Sequence, residues 1–343
     1  MVAGIQGSLA LGIDIGGTKV AAVLVDASGT VVARDRGPVA PDSNDAALRS
    51  IVAVTDRVLN EHPGARGRLT GIGAGAPGAV DWRSGVLLAA TNLAWRDLPL
   101  ARALSERYGV PALIENDVNV AAWGERCFGG WSTPNTPVEH LVYLTVGTGI
   151  GAGLIENGRI VRGKRGAGEI GHIPLLDNGI HCKCGMVGCL EAVASGPALG
   201  TAGRRLAEAG EAGAALRLLE LAGGAATDIT AAHVIQAAQE GSPGARHLLE
   251  REGYYLALAV LICWRMLDPQ VIVIGGGLAE AGAPLFEAIW KELRRLRPRG
   301  PNPSEYVVHT KLGADAGAIG GAALVLQPEP GFIEAGNLSR ALR

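Results

Sequence analysis

The 343-residue chain has little that would send it to a membrane, a nucleic acid or an oxidising compartment. Its formal net charge is only −2, so no electrostatic footprint for nucleic acid or an anionic lipid surface is expected. The longest strongly apolar run, Tyr254–Trp264, is too short to cross a bilayer and reads as part of a buried helix. The first ten residues, MVAGIQGSLA, lack the basic n-region of a signal peptide. Cysteines number five, an odd count, and three of them are clustered. That fits a reducing cytoplasm and metal binding better than a disulfide framework. What is abundant is glycine, 51 residues without the collagen period. Many turns and close backbone approaches are therefore expected.

The apolar pattern predicts two domains built alike. Leu9–Ile15 is a strand ending at Gly16-Gly17-Thr18-Lys19, Val20–Val25 is a second, and Thr30 begins a third. Tight turns make the three antiparallel neighbours. A helix capped by Asp42 or Ser43 follows to Glu61, then a strand from Leu69 to Gly75-Ala76-Pro77-Gly78, a helix to Tyr108, and a strand into Glu115-Asn116-Asp117. The pattern restarts with a helix over 118–128, a strand at His140–Val146, the turn Gly147-Thr148-Gly149 and the strand Ile150–Glu156. A hairpin at Asn157-Gly158 completes the second set of three strands. Such a repeat predicts two related α/β domains with mixed sheets facing one another across a cleft. Helices dominate from Pro197 onward, including 212–222 and 244–266. A strand at Gln270–Ile274 then opens onto Gly275-Gly276-Gly277, and a last helix covers 313–326.

Four stretches carry candidate chemistry. Asp14-Ile15-Gly16-Gly17-Thr18-Lys19 suits a phosphate, because glycines admit it to the backbone N–H groups and Thr18 donates a hydroxyl. Asp14 can hold magnesium through water. The Walker A pattern is absent, and an ordinary glycine hairpin is the plainer reading. Gly147–Ala152 matches G-x-G-x-x-A, but a strand follows where a dinucleotide fingerprint needs a helix, so it reads as a second phosphate-facing hairpin. Asp117 can take a proton from a hydroxyl with Asn116 bonding a neighbouring one, or it can simply N-cap the next helix. Glu169-x-x-His172 and Cys182-x-Cys184-x4-Cys189-x-Glu191 form the densest cluster. Three thiolates suit zinc and leave one ligand to a histidine, an aspartate or water; His172 is preferred to His181, which adjoins Cys182. A group of buried free cysteines or a disulfide is the alternative. Glu169, His172 and Glu191 can accept from the hydroxyls of a neutral ligand, or be exposed charges. Trp82, Trp95 and Trp131 fall in predicted loops, and Trp95 can line a sugar site or pack in a core.

Taken in order, DIGGTK (14–19), GAPGAVD (75–81), END (115–117), GTGIGAG (147–153), GEIGH (168–172), CKCGMVGCLE (182–191) and IGGG (274–277) resemble the ROK family of sugar kinases and sugar-responsive repressors, from about Leu9 to Leu326. NLAWRDLPL (92–100) looks most like its bacterial glucokinase branch. The resemblance implies the two-domain actin-like ATPase (ribonuclease H-like) fold, with nucleotide and sugar in the interdomain cleft. It implies a small domain of residues 1–116 plus 314–343 and a large domain of 117–313 with a zinc loop at 172–189. Asp117 would be the general base on the sugar 6-hydroxyl. Ala76, Pro77, Gly78, Asn116, Glu169, His172 and Glu191 would bind the sugar. Gly16, Gly17, Thr18, Lys19, Thr148 and Gly149 would meet ATP phosphates with Asp14 toward Mg2+, and Gly276 and Gly277 would meet the nucleoside. His172, Cys182, Cys184 and Cys189 would hold a structural Zn2+.

The implied activity is ATP-dependent phosphorylation of glucose, with fructose, mannose or N-acetylmannosamine as other acceptors and polyphosphate as another donor. A sugar-sensing regulator is the reading from another class, and no DNA-binding helix-turn-helix is expected before residue 14. A homodimer or homotetramer is implied. The loop Gly163–Gly168 departs from the family pattern by being a residue shorter and by carrying Lys164 and Arg165.

Overall fold

A computed structural model describes residues 7–90, 93–133, 135–164, 166–177, 179–209 and 215–330. In chain order the elements are β1 (Leu9–Ile15), β2 (Lys19–Asp26), β3 (Val31–Pro38), α1 (Asn44–Glu61), β4 (Leu69–Ala76), β5 (Ala79–Asp81), β6 (Val86–Ala89), β7 (Arg96–Leu98), α2 (Leu100–Tyr108), β8 (Ala112–Asn116) and α3 (Asp117–Phe128). There follow β9 (Leu141–Val146), β10 (Ile150–Glu156), β11 (Arg159–Ile160), α4 (Leu190–Ala194), α5 (Gly196–Glu208), α6 (Leu216–Leu221), α7 (Ala231–Gln239), α8 (Pro243–Leu267), β12 (Val271–Gly275), α9 (Ala283–Leu296), β13 (Val307–His309) and α10 (Ala316–Leu326). The chain divides into two compact units. One holds everything up to Glu139, then Gly153–Ala167, then the chain from Lys311; the other holds His140–Ala152 and Gly168–Thr310.

The first unit is organised on a sheet ordered β3-β2-β1-β4-β8. β1 and β2 are antiparallel from Leu9↔Asp26 to Ile15↔Val20, and β1–β4–β8 are parallel. Strand alternation sorts β1 into two faces. Leu9, Leu11, Ile13 and Ile15 join Ile51, Val54, Val58 and Leu59 of α1 in one core. Burying a side chain of this size contributes roughly 1.5–3 kcal/mol. The opposite face carries Ala10, Val23 and Val25 against Ala318, Ile319 and Ala322 of α10. Glycine sets that approach: a Cβ on Gly12 would lie 1.8 Å from the Ala318 carbonyl oxygen, and one on Gly73 1.8 Å from that of Gly321. Ser43 caps α1 by accepting from Ala46 N, one of the two caps expected.

Three expectations change. β3 continues to Pro38, because an edge strand needs only one buried residue in this stretch, Ala33, and its polar remainder reads as loop. A three-stranded meander, β5-β6-β7, lies where no strands are expected. Trp95 is fully buried in the first core with its indole N–H donating to the Ala40 carbonyl at 3.2 Å, which removes it from any sugar site. The expected hairpin at Asn157-Gly158 is present, with both residues at positive φ as the turn type requires.

In the second unit β9, β12 and β13 are parallel, with Leu141 opposite Val271 and Ile272 opposite Val307. α8 and α9 cross closely where Gly253 meets Ala288; a Cβ at Gly253 would stand 2.5 Å from that of Ala288. The helix expected over 212–222 is described from Leu216 to Leu221, its first residues lying outside the described ones. Among the described residues no helix is long and apolar enough to cross a membrane. All five cysteines are free thiols.

Candidate active site and metal centre

In the first unit the β1–β2 turn is closed by Gly16 N donating to the Lys19 carbonyl at 2.8 Å, and Gly17, Thr18 and Lys19 are exposed. Strand alternation puts Asp14 on the α10 face, against the first turn of that helix: a Cβ on Gly317 would be 2.7 Å from the Asp14 carboxyl carbon. Beside it Asp315 accepts from Arg34 at 2.8 Å and Arg36 at 2.7 Å. Desolvation raises the Asp14 pKa to about 6, with Arg36 opposing the rise and Asp315 adding to it. A cation would favour the ionised form of such a carboxylate.

β8 delivers Asn116 and Asp117 to the start of α3. The cap is Asn116, whose Oδ1 accepts from Val118 N at 3.0 Å and Asn119 N at 3.2 Å; Asp117 Oδ1 also accepts from Val118 N, at 3.0 Å. The Asn116 amide donates to Asp117 Oδ1 at 2.8 Å and reaches the Gly78 carbonyl at 3.4 Å. Pairing of Ala76 with Asn116 in the sheet brings Ala76-Pro77-Gly78 alongside. Desolvation, then the negative charge of Asp14, raises Asp117 to about 7; hydrogen bonds from Val118 N and Asn116 oppose this. A carboxylate titrating there is suited to general base catalysis at neutral pH.

The second unit holds the other glycine turn. Gly147 N donates to the Gly149 carbonyl at 2.9 Å, and the Gly147 carbonyl accepts from Gly196 N, at the start of α5, at 2.7 Å. Glu191 braces the turn: its Oε2 accepts from Ile150 N at 3.0 Å. Gly276, at φ 85°, and Leu278 close on the same turn, with Leu278 N donating to the Val146 carbonyl at 2.9 Å. Thr148, Gly149, Gly276 and Gly277 therefore share one corner of this unit. Beside them lies a cavity of about 290 Å³, lined among others by Thr148, Glu191, Ser195, Thr201, Arg205 and Arg251.

The cysteine stretch folds on itself through the bridges His181↔Val187 and Pro174↔Cys189. Gly188, at φ 75°, is tightly enclosed, for a Cβ there would strike the Leu176 carbonyl oxygen at 1.6 Å. One donor atom from each of His172, Cys182, Cys184 and Cys189 comes within 4.8 Å of the rest. His172 Nδ1 is 3.7 Å from Cys182 Sγ, and Cys184 Sγ is 3.6 Å from Cys189 Sγ. Tetrahedral zinc, with bonds of about 2.0–2.3 Å, spaces its ligand atoms roughly 3.3–3.8 Å apart, so the donor set fits that ion. His181 is outside this set of four. The other ring nitrogen of His172, Nε2, is 3.9 Å from Glu169 Oε2. Glu169 itself is exposed.

Asn92 and Arg165, both part of the sequence reading, lie outside the described residues. Glu115, quoted there only as the first residue of the END motif, and Arg162 are given no role in that reading. An acidic residue that ends the apolar strand Ala112-Leu113-Ile114 and is buried there needs a paired cation; the strand end was legible, the partner's identity was not.

Comparison with known proteins agrees with the motif order. The ROK family model matches residues 10–328. A glucokinase from Halalkalibacterium halodurans is 36% identical over 331 residues, covering 95% of this chain and 97% of its own. A putative xylose repressor from a Caldicellulosiruptor species is 32% identical, with 93% of this chain matched to 78% of that one. The crystal structure of a ROK family glucokinase from Streptomyces griseus in complex with glucose and AMPPNP superposes with a TM-score of 0.81 at 33% identity, covering 93% of this chain and all of that one. The fold is that of the actin-like ATPases. With a family match running almost end to end, this chain belongs to the ROK family.

Proposed function

We propose that the protein is an ATP-dependent hexokinase that phosphorylates glucose on its 6-hydroxyl. The carrying observation is Asp117: a carboxylate at the start of α3, oriented by Asn116 and raised to about 7, suits proton abstraction from an alcohol. Phosphoryl transfer asks a protein chiefly for positioning and charge stabilisation. Backbone N–H groups of Gly16–Thr18 and of the Thr148-Gly149 turn, with Lys19, supply donors for ATP phosphates. Asp14 is the carboxylate toward Mg2+, and the Gly276-Gly277 backbone receives the nucleoside. Asn116, the Ala76–Gly78 loop, Glu169, His172 and Glu191 bind the sugar hydroxyls.

His172, Cys182, Cys184 and Cys189 hold a structural Zn2+ that fixes the loop. His172, engaged through Nδ1, keeps Nε2 turned toward Glu169 and the sugar. The name glucokinase among the relatives supports glucose as acceptor. We also place the protein in the cytoplasm, as a homodimer or homotetramer, the symmetric assemblies most common among soluble proteins.

Steady-state kinetics with ATP and Mg2+ on glucose, fructose, mannose and N-acetylmannosamine tests the reading. The highest kcat/KM is expected for glucose. A far higher value for another hexose transfers the assignment to it, and sugar binding without turnover would favour a sensor, the role named in the Caldicellulosiruptor relative. Replacing ATP by polyphosphate tests the donor.

A further inference from the structure

Glu115, which precedes the Asn116-Asp117 pair, is 3% exposed and fully engaged. Its Oε1 accepts from Asn116 N at 2.8 Å and from the Asn119 amide at 3.1 Å. Its Oε2 accepts from Arg162 Nε at 2.5 Å. A carboxylate this desolvated requires a paired cation. Arg162 gives Nη2 to Glu329 Oε2 at 2.6 Å and Nη1 to the Ile160 carbonyl at 3.3 Å. Glu329 closes the network by accepting from Ile160 N at 2.9 Å. The guanidinium also lies 4.2 Å from the centre of the Trp82 ring. Edges and face are thus all in use, an arrangement lysine cannot reproduce because it lacks the planar fork.

The network ends one bond from the proposed base. Glu115 holds the backbone N–H of Asn116, and the Asn116 amide holds Asp117 Oδ1 at 2.8 Å while its carbonyl caps α3. A shift of Glu115 therefore turns the group that aims the Asp117 carboxylate. Arg162 is also the residue at which the Gly163–Gly168 loop begins, and that loop leads along the chain to Glu169. We propose that Arg162 is a positioning residue for phosphoryl transfer, setting the Asp117 carboxylate through Glu115 and Asn116. The inference rests on Asp117 being the base.

The test compares Arg162→Gln, Arg162→Lys, Glu115→Gln and the Arg162→Gln/Glu115→Gln double variant. For Arg162→Gln, kcat is expected to fall about 10- to 100-fold, the scale of a misplaced catalytic group, with KM for ATP nearly unchanged. The acid limb of the kcat/KM profile should move to higher pH, because weakening the Asn116 hydrogen bond removes something that holds the Asp117 pKa down. Arg162→Lys keeps the buried charge and should fold even if Arg162→Gln does not, with an intermediate kcat and the same direction of limb shift. In the Glu115→Gln background the loss caused by Arg162→Gln should shrink, since the two act in series. Unchanged kcat and pH profile in the folded Arg162→Lys and Arg162→Gln proteins would overturn the positioning role, as would fully additive losses in the double variant. Asp117→Asn is the separate control. If it is inactive while the Arg162 variants behave as wild type, only the positioning role fails; if it is fully active, the base assignment fails first.

Discussion

The two glycine turns have nearly the same sequence logic and opposite surroundings. In the first, Gly17 has no heavy atom within 4 Å of where a Cβ would stand and lies outside the left-handed region, so the fold gives no reason for glycine there. In the second, a Cβ on Gly149 would meet Glu191 Oε2 at 2.7 Å, and that same oxygen accepts from Ile150 N. One turn is open, and its glycine makes sense as room for a ligand. The other is braced by a carboxylate from α4, directly after the cysteine cluster. Each unit extends its turn differently. The first adds two half-buried carboxylates, Asp14 and Asp117, and the second adds the loop that gathers His172, Cys182, Cys184 and Cys189.

The largest way to break this division of labour is Asp117→Asn. If the base belongs to the first unit alone, kcat should fall by about 10³-fold, roughly 4 kcal/mol, with zinc content unchanged by elemental analysis. Stability should move the other way. The folded-state pKa of about 7 lies above the unfolded value of 3.8, so the folded protein binds more protons between these pH values and its stability falls as pH rises through that window. Asparagine has no such penalty. The variant should therefore be more stable than wild type at pH 8, by about 2 kcal/mol after discounting for partial solvent access, and the gap should close toward pH 4. Denaturation at the two pH values measures it; an equal gap at both would show that Asp117 is not desolvated in the free protein.

Cys184→Ala acts on the other side of the comparison. Structural zinc binding is coupled to folding, so losing one of four ligands should remove about one zinc per chain and about 3 kcal/mol of apparent stability, roughly 4 °C in Tm for a chain of this length. If Asp117 in the first unit is the base, the acid limb of the kcat/KM profile should stay where it was. Full metal content in the purified variant would mean that the thiols do not hold the ion.

What could be read from the chain beforehand follows the range of the interactions. β1 and β10 match their expected bounds because strand alternation is a local signal, and Ser43 caps α1 because a cap needs only its own first turn. The grouping of Cys182, Cys184 and Cys189 with His172 was legible because three thiols lie within eight residues and glycines fold the loop back. The strands β5, β6 and β7 were not, being three or four residues long, below what periodicity resolves. Nor was the network through Glu115, whose partner Arg162 is 47 positions away and is in turn held by Glu329, 167 positions further on. Trp95 carried a signal for either a core or a sugar face, and only packing decides between them.

The finest test exchanges the two glycines for alanine. Gly17→Ala places its methyl in open space and leaves the fold intact; restricting the unfolded chain can even stabilise the protein by about 0.4–1 kcal/mol. If that space is where ATP phosphates approach the backbone, KM for ATP should rise about tenfold, a loss of roughly 1.4 kcal/mol, with KM for the sugar unchanged. In Gly149→Ala the methyl must displace the end of the Glu191 side chain and loosen its bond to Ile150 N. Because the displaced atom ends a flexible chain, the stability cost is small, but the effect should reach two substrates: KM rises for ATP through the turn and for the sugar through Glu191. Equal behaviour of the two variants would erase the contrast between the turns. Opposite selectivity, with Gly17→Ala affecting the sugar and Gly149→Ala only ATP, would exchange the roles assigned to them.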